Sequence, residues 1–461
     1  MTTAEMRAAA KRVVRFHVRF APWFGRLEPQ NYAQVYLQGL LLGQGRKSVE
    51  PIALNFGERD EEAGTQNRVL GLQRFVTASP WQCSDIQREI QAVFAEELVP
   101  TAAGTDTGTV GIVDGSSFAK KGTESVGVAR QWCGRLGKID NCQTGVFVVG
   151  TTPGGTVLLD HQLYLPKSWI GDVKRRKQTR VPKETSFQTK PQIASSLLAR
   201  IAANDLVKFD WVVADEEFGR NGTFLDGLEN RQQRYLVEVP TNTTVWTVEP
   251  STAPPSSGPG RPPEIRWVRE VAAALPAESW ECLQVREGTT KPLVYAFARV
   301  RVWAVRHRRA GAPIWLLLQR SVDTPTSIKY FVSNAGPDVP LTTLARVTGA
   351  RWRIEEFFED SKSCLGMADY EARAWTSWHH HMSLVALAHL FVTLTRRDLK
   401  RNTPELTLDM AFAILKSTLV RPTLNEHQAL EILEYHLQRN HTAKNSHHKT
   451  WRKKHKKLKY K

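Results

Sequence analysis

The chain has 461 residues, of which 41% are hydrophobic and 24% are charged, and this composition is typical of globular proteins and excludes global disorder. No run of about 18 uncharged apolar residues predicts a membrane span, and residues 1–20 lack the apolar segment of a secretory signal. The five cysteines are scattered without a C-x-x-C pair, which excludes a disulfide scaffold and a zinc ribbon. We therefore expect a protein of the reducing cytoplasm with roughly two to four packed units.

The formal net charge of +17 is concentrated in two segments. Residues 167–190 contain eight basic and two acidic residues, and residues 444–461 contain nine basic residues and no acid. Together they carry +15 of the net charge, so the rest of the chain is nearly neutral. A basic tail alone is equally well explained as a solvated, disordered end. Two separate basic segments favour a polyanionic partner such as nucleic acid.

Residues 1 to about 100 have the apolar spacing of helices, most clearly at 32–42 and 86–94. Ser84 followed by Gln87 matches the capping-box pattern, which predicts the start of the second of these helices. The small and polar residues 102–108 then predict a linker or turn.

Strands begin after this linker. The predicted order is strands at 109–114, 145–150 and 157–165, a helix at 191–203, a strand at 211–215, a short helix at 223–230 and a strand at 235–239. A hairpin turn at 152–155 joins the second and third strands. Three antiparallel strands followed by β-α units predict a mixed α/β sheet.

The pattern changes again after residue 245. A Pro/Gly/Ser-rich stretch at 249–263 excludes a helix or a central strand, and the strand-like runs that follow it predict a β-rich insertion. Helix returns from about Leu341. The predicted units are a helical N-terminal region at 1–104, the first part of a core at 105–245, the insertion at 246–338, the second part of the core at 339–400, a C-terminal helical region at 401–443 and a basic tail at 444–461.

Two of the apolar strands end on an aspartate, Asp114 and Asp215. Acids at the C-terminal ends of strands lie at the sheet edge where open α/β folds place their sites. Either aspartate alone is also explained as a turn residue or a helix N-cap. Both explanations stay open at this point.

The segment 351–362 is a helical stretch with charged residues along one stripe. At about 100° per residue, Arg351, Glu355 and Lys362 fall within about 40° of one another, beside an apolar face. A surface ladder of i,i+4 ion pairs explains the same pattern. The acids that this spacing directs toward solvent are Glu356, Glu359 and Asp360.

Three carboxylates from two strands and a helix suit a hard divalent cation, because Mg²⁺ prefers oxygen ligands. Two such ions roughly 4 Å apart activate a water or a 3′-OH and stabilise the leaving oxygen of a phosphodiester. Arg351 and Lys362 would then face phosphate oxygens. The sequence contains neither a GxSxG motif nor a Walker A loop, which would have indicated other chemistry.

In this order the motifs resemble those of the DDE transposases of bacterial insertion sequences. The first motif comprises 113–122 (VDGSSFAKKG) and 125–134 (SVGVARQWCG), the second is 213–219 (VADEEFG), and the third matches the Y-x2-R-x3-E-x6-K pattern of the cut-and-paste branch at Arg351, Glu355 and Lys362. Thr348 stands at the Tyr position, and Gly115 stands where many relatives carry a second Asp. The resemblance covers roughly residues 20–400, including the insertion.

The resemblance implies an α/β fold with an RNase H-like mixed-sheet core, a β-rich insertion and helical N- and C-terminal regions. It implies that Asp114, Asp215 and Glu355 are the catalytic residues and the ligands of two Mg²⁺ or Mn²⁺ ions. The candidates for DNA contacts are Lys120, Lys121, Arg351, Lys362, Lys174, Arg175, Arg176 and Lys177.

The resemblance further implies a bacterial, nucleoid-associated protein that binds the ends of an element through its N-terminal helices and basic segments. It would cleave DNA and join the freed 3′-OH to target DNA, as a homodimer in a synaptic complex and without a membrane partner. Two alternatives stay open: a catalytically silent DNA-binding relative and a stand-alone metal-dependent nuclease.

Other residues admit functional explanations that carry less weight. His379, His380, His381 and His389 suggest a metal site, but their helical, apolar surroundings favour packing. Most of the 14 tryptophans are expected in the core, with Trp169 beside the basic segment as the best candidate for stacking on a base. Lys120 and Lys121 fit either a phosphate contact or a solvated turn.

Overall fold

The computed structural model describes residues 12–13, 15–57, 64–250, 265–288, 291–306, 309–324, 327–400, 403, 405–419 and 422–455. Residues 251–263 of the predicted Pro/Gly/Ser-rich stretch and residues 456–461 of the basic tail lie outside the described residues. Within the described ranges, no helix is both long and apolar enough to cross a membrane.

Among the described residues, a helical stretch at 15–20 and four further α-helices precede the sheet, as the apolar spacing predicts. The four are α1 (Leu27–Leu42), α2 (Val49–Phe56), α3 (Gly64–Ala78) and α4 (Cys83–Glu97). The capping box predicted at Ser84 is wrong: α4 begins at Cys83, so Ser84 already has helical backbone geometry and cannot act as the N-cap. Ile86, Ile90 and Phe94 are fully buried, so the predicted apolar face of α4 is the one that packs.

The core is a mixed sheet whose central strands are parallel. The first six strands are β1 (Val110–Ala119), β2 (Ala129–Cys133), β3 (Lys138–Thr152), β4 (Gly155–Leu163), β5 (Trp211–Ala214) and β6 (Tyr235–Val239). The spatial order β4-β3-β1-β5-β6 has β3 antiparallel to β1 and β4, and β1, β5 and β6 parallel. This confirms the predicted mixed α/β, RNase H-like core. Strand β2, an edge strand paired with β3, was not predicted.

Five helices connect these strands. They are α5 (Lys167–Ile170), α6 (Val173–Gln178), α7 (Lys190–Ala203), α8 (Glu216–Gly219) and α9 (Gly222–Glu229). The first two carry five of the eight basic residues of the segment 167–190. Helix α7 begins at a capping box formed by Thr189 and Gln192, which fixes its first turn.

The insertion extends the same sheet rather than forming a separate one. Its described elements are β7 (Thr244–Trp246), β8 (Ile265–Trp267), α10 (Val268–Ala273), β9 (Glu281–Arg286), β10 (Leu293–Arg306), β11 (Arg309–Ser321) and β12 (Ile328–Ser333). Strand β12 pairs with β6, so the described strands form one 12-stranded sheet. The predicted β-rich character of this region is confirmed.

Five helices follow the insertion: α11 (Leu341–Ala350), α12 (Trp352–Cys364), α13 (Trp375–Lys400), α14 (Leu408–Thr418) and α15 (Glu426–Lys454). The explanation of residues 444–461 as a disordered end is wrong for 444–454, which continue α15. The Asn425–Gln428 capping box starts this helix, and Arg439 and His436 tie it to Glu50 of α2. None of its described residues is buried.

Helix α13 is the central helix of the core, and its histidines are packing residues. His380 and His381 are buried, and His380 stacks on Trp81 with the ring centroids 3.6 Å apart. His389 is also buried and contacts the ring of Phe357. Burial lowers the pKa of His380 and His381 to about 4 and that of His389 to about 3, so these rings are neutral near pH 7. The packing interpretation is confirmed.

Candidate active site

The sheet register brings the two predicted aspartates side by side. Strands β1 and β5 are parallel, and their last registered pair is Val113 with Ala214. Asp114 and Asp215 are therefore the next residues on neighbouring strands, with side chains on the same face of the sheet. The prediction that Asp114 ends its strand is wrong, because β1 continues to Ala119 in its pairing with β3.

Asp114 carries an unfavourable negative charge. Its side chain is only 17% exposed, and burial together with the charge of Asp215 raises the pKa of Asp114 to about 7. The nearby charge of Glu355 acts in the same direction, whereas Arg351 and the backbone N–H of Gly115, 2.6 Å from Oδ1, partly offset the shift. The site therefore holds more negative charge than its surroundings neutralise.

Asp215 is both a helix N-cap and a member of this acidic group. Its Oδ1 accepts a hydrogen bond of 2.9 Å from the backbone N–H of Glu217, at the start of α8. The cap fixes the orientation of the carboxylate. Burial, followed by the charge of Glu217, raises the pKa of Asp215. The two explanations left open from the sequence thus apply together to this residue.

Arg351 joins the carboxylates of three elements. Its guanidinium donates to Glu355 Oε1 of α12 at 2.7 Å, and it lies 3.8 Å from Asp114 Oδ2 of β1. Its Nε lies 3.9 Å from Oε2 of Glu238 on β6. The ion-pair ladder between Arg351 and Glu355 is therefore present, but it faces the acidic edge of the sheet and not open solvent.

The sequence reasoning missed Glu238 as a member of the site. The last registered pair of β5 and β6 is Ala214 with Val237, so Glu238 stands next to Asp215 as Asp215 stands next to Asp114. Its Oε1 also lies 3.6 Å from Lys329 Nζ of β12. The signal was in the sequence, since the apolar run of β6 also reaches an acid near its C-terminal end.

Lys362 lies on the side of Asp114 away from the insertion strands. Its Nζ is 5.5 Å from the ring centroids of both Phe118 and Phe358. Burial lowers the pKa of Lys362, the charge of Arg135 adds to that effect, and the charge of Asp114 opposes it. No hydrogen bond or ion pair engages this ammonium in the described part of the chain, so it is available to an anion.

A cleft of about 210 Å³ opens beside the carboxylates, between α11, α12 and the insertion. Arg351, Glu355 and Glu238 are among the residues that line it. Further lining residues from the insertion and the helices are Val285, Arg286, Tyr295, Lys329, Thr348 and Trp352. The cleft thus contains both acids and cations, a lining that suits a polar ligand such as a phosphodiester.

The helical wheel of α12 is confirmed at Glu359, which is exposed, and is wrong at Asp360. Asp360 lines a second cavity of about 530 Å³ on the other side of the helix, together with Asp409 and Arg396. Burial and the charge of Asp409 raise the pKa of Asp360 to about 7. The helical wheel is wrong at Asp360 because it contains no information about α13 and α14, which pack over this side of α12.

The four basic residues predicted on α6 divide into two pairs. Lys174 and Lys177 are exposed. Arg175 lies 3.7 Å over the ring of Trp169 and donates to the backbone of Thr123, and Arg176 donates to four backbone carbonyls of the same segment. The two arginines therefore organise this loop, and the two lysines face solvent.

Trp169 does not meet the expectation of a base-stacking residue. It is fully buried, and its indole N–H donates to the carbonyl of Val128 at 2.8 Å. The cause is the neighbouring Arg175, which covers the ring. The indole is thus part of the support of the basic segment, and no base can reach its face.

Lys120 and Lys121 also separate. Lys120 Nζ donates to the carbonyl of Tyr370 at 3.0 Å and lies 3.4 Å over its ring, and burial lowers the pKa of Lys120 to about 8. Lys121 is exposed and has no side-chain partner among the described residues. Of the two, only Lys121 presents its charge to the surface.

The donor set fits an oxygen-seeking divalent cation in chemistry. The carboxylates of Asp114 and Asp215 share one edge of the sheet, and their repulsion would be relieved by a cation. Within the described residues, no three His, Cys, Asp or Glu side chains are gathered in a metal-binding arrangement. Arg351 contacts both Asp114 and Glu355, so Glu355 would have to exchange that ion pair to join the two aspartates.

Two comparisons with known proteins bear on the family of this chain. The model of the DDE superfamily endonucleases matches residues 19–292, more than half of the chain. A probable transposase for insertion sequence element IS701 of Microchaete diplosiphon is 24% identical over 364 residues, which cover 77% of this chain and 82% of that protein. A cryo-EM structure of the piggyBac transposase synaptic complex with hairpin DNA covers 88% of this chain and 76% of that one, at 8% identity. Its TM-score of 0.39 gives it no weight.

The family match includes Asp114 and Asp215 and ends before Glu355. The side-by-side aspartates, the RNase H-like strand order and the extent of the match lead to the same answer. This chain belongs to the DDE superfamily endonucleases, and its resemblance to the transposases of bacterial insertion sequences is confirmed.

Proposed function

We propose that this protein binds the terminal inverted repeats of an insertion sequence, cleaves DNA there with divalent metal ions and joins the freed 3′-OH to target DNA. The observation that carries the proposal is the register of β1 and β5, which places Asp114 beside Asp215. Glu355 lies close enough for its charge to act on Asp114. Two acids from the sheet and one from a helix would together offer the oxygen ligands that suit metal-dependent phosphodiester chemistry.

Asp114, Asp215 and Glu355 would hold two Mg²⁺ or Mn²⁺ ions. Bound there, the ions would supply an activated oxygen nucleophile and stabilise the leaving oxygen. The N-cap bond from Glu217 keeps Asp215 aimed at the shared edge of the sheet. Glu238 lies 3.9 Å from Arg351 and would remain a partner for its guanidinium if Glu355 left the ion pair to bind a cation.

The cations of the site would position the DNA backbone. Lys362 offers an ammonium close to Asp114, and Arg351 presents a guanidinium that can move from the acids to a phosphate. Lys121, Lys174 and Lys177 are exposed and would contact phosphates farther from the cut. The basic end of α15 would add affinity that does not depend on sequence.

Cutting two ends together would require two copies of the chain, so we propose a homodimer in the synaptic complex. A silent DNA-binding relative would not need the carboxylates. It would have no use for two neighbouring buried acids, whose mutual repulsion and burial raise the pKa of Asp114. A stand-alone nuclease would cleave without joining. The two activities separate in one experiment.

That experiment uses a plasmid in which the DNA flanking the gene brackets a marker. Purified full-length protein with Mg²⁺ or Mn²⁺ should excise the marker and insert it into a second plasmid, and terminal inverted repeats should lie at the excised ends. Cleavage without insertion would support the nuclease. Binding without cleavage would support the silent relative.

The stripe of α12 makes a testable distinction between Lys362 and Glu359. Lys362→Ala should lower end binding and cleavage together, by about tenfold, because it removes a charge-assisted phosphate contact beside Asp114. Glu359→Ala changes an exposed acid on the same helix and should stay within about twofold of wild type. Gel shift and cleavage rates measured side by side decide the matter. Equal losses of binding and cleavage in the two variants would show that Lys362 does not contact a phosphate at the site.

Deleting residues 444–461 should weaken binding to every DNA alike. The deletion removes nine cations, and each lost phosphate contact should flatten the slope of log K against log salt by about 0.9. The deletion shortens α15 but leaves its contacts with Glu50 intact. Binding to end DNA and random duplex should be measured at several salt concentrations. If the deletion removed the preference for end DNA over random duplex but left the salt slope unchanged, this segment would recognise the sequence of the ends.

A further inference from the structure

The hairpin of β2 and β3 carries an exposed apolar surface for which the catalytic residues give no reason. Trp132 is 61% exposed, Ile139 is 60% exposed and Leu136 is 43% exposed. Trp132 and Ile139 are register partners, so both lie on one face of the hairpin. We call these three residues the hairpin surface. A large exposed aromatic residue with apolar neighbours indicates an interaction site.

Basic residues surround the hairpin surface. Arg130 is exposed two residues before Trp132 and therefore shares its face, and Arg135 is exposed in the turn between the strands. Neither guanidinium has an ion-pair partner within the described residues. Lys138 lies 3.2 Å from Asp140, the acid of this hairpin. An aromatic ring with cations on both sides suits a nucleic-acid strand better than an apolar protein surface.

The hairpin also lies beside the active site. Strand β3 pairs with β1 along its length, and Cys142 is the register partner of both Ala119 on β1 and Ala129 on β2. The hairpin thus contains β3, the strand that pairs with the strand of Asp114. The charge of Arg135 reaches Lys362, whose Nζ is 5.5 Å from the ring of Phe118 on β1.

We propose that the hairpin surface binds an unpaired DNA base next to the cleaved phosphodiester, with Trp132 stacked on the base and Arg130 and Arg135 on the flanking phosphates. The inference rests on the proposed function, because it takes its substrate from the carboxylate site. Stacking is independent of sequence, since every base has a π-face. The hairpin would therefore hold an opened strand and leave the choice of site to other parts of the protein.

The test compares two probes: a duplex with one unpaired 2-aminopurine and the same duplex fully paired. Full-length wild type should quench the fluorescence of the unpaired base by stacking. Trp132→Ala should abolish the quenching and weaken binding of the unpaired probe by about tenfold, with little change for the paired probe. Trp132→Phe should keep part of the quenching. Met410→Ala, which truncates an apolar residue that is 52% exposed on α14, is the matched control and should behave as wild type.

Equal affinity of wild type and Trp132→Ala for the unpaired probe would overturn the inference, as would equal weakening for both probes. A wild-type dimer that Trp132→Ala converts to a monomer in light scattering would also overturn it, because the surface would then bind a second copy. Metal-dependent cleavage by wild type is measured in parallel. If wild type cleaves but Trp132 has no effect, only the hairpin assignment fails. If wild type quenches but does not cleave, only the proposed function fails.

Discussion

Alanine at Asp114, Asp215 or Glu355 should each lower DNA cleavage by about 10³-fold or more while leaving DNA binding within a few-fold of wild type. The reason is that, in the proposed function, the three carboxylates would hold the metal ions at the reacting phosphate and would not recognise a base. Asp114 and Asp215 adjoin in register, and Glu355 reaches the same edge through Arg351. Cleavage and gel shift in Mg²⁺ and in Mn²⁺ are the two measurements.

Glu359→Ala is the matched control, because it removes an exposed acid from the same helix as Glu355. Near wild-type cleavage by any one of the three variants would remove that residue from the ligand set. The assignment of Glu355 is the one that this test can most readily overturn. Its carboxylate is paired with Arg351, and it lies beyond the residues matched by the family model. If Glu355→Ala cleaves well, Glu238 is the next candidate for the third acid.

Asp114→Asn should stabilise the folded protein while it abolishes cleavage. Burial and the charge of Asp215 raise the pKa of Asp114 to about 7, above the ordinary value near 3.8. The folded state therefore loses stability as the pH rises from about 4 to about 7, where its carboxylate is still protonated and that of the unfolded chain is charged, and the loss stays constant above pH 7. At pH 8 the Asn variant should gain roughly 2 to 4 kcal/mol in the free energy of unfolding, and its advantage should shrink toward pH 5.

Urea unfolding at pH 8, 7, 6 and 5 measures this difference. Asp205→Asn changes an acid whose side chain is 80% exposed, so it should stay within about 0.5 kcal/mol of wild type. Mg²⁺ or Mn²⁺ should raise the Tm of wild type, because the ions bind the folded state, and should have little effect on Asp114→Asn. An unstabilised Asn variant would show that Asp114 carries no excess charge. A metal response that survives the substitution would place the ions elsewhere.

Much of the core could be predicted from the sequence because its strands are apolar runs with local turn signals. The parallel pair β1 and β5 and the helix of Glu355 belong to this class. Strand β2 was missed because an edge strand with Arg130, Gln131 and Trp132 has no alternating apolar pattern. The helical end of the chain was missed because charge composition indicates solvation and carries no information about a helix started by the Asn425 cap.

The site was predicted as far as single residues allow. Motif spacing gives Asp114, Asp215 and Glu355, but their grouping depends on which strands are neighbours, and that is a long-range property. Glu238 joins the site only because β6 lies next to β5. Arg175 and Arg176 differ from Lys174 and Lys177 through tertiary hydrogen bonds, which a net charge cannot distinguish.

The pairing of β12 with β6 has a mechanical consequence. Four consecutive register pairs, from Val239 with Tyr330 to Leu236 with Ser333, join the insertion to the core, and Glu238 belongs to this ladder. A sheet continuous across that junction bends as a single stiff plate, so the far strands keep a constant offset from the carboxylates. The insertion therefore sets a fixed distance from the carboxylates and does not open and close over them. DNA that touches both must take the curvature of the plate, and the energy of that deformation falls on the nucleic acid.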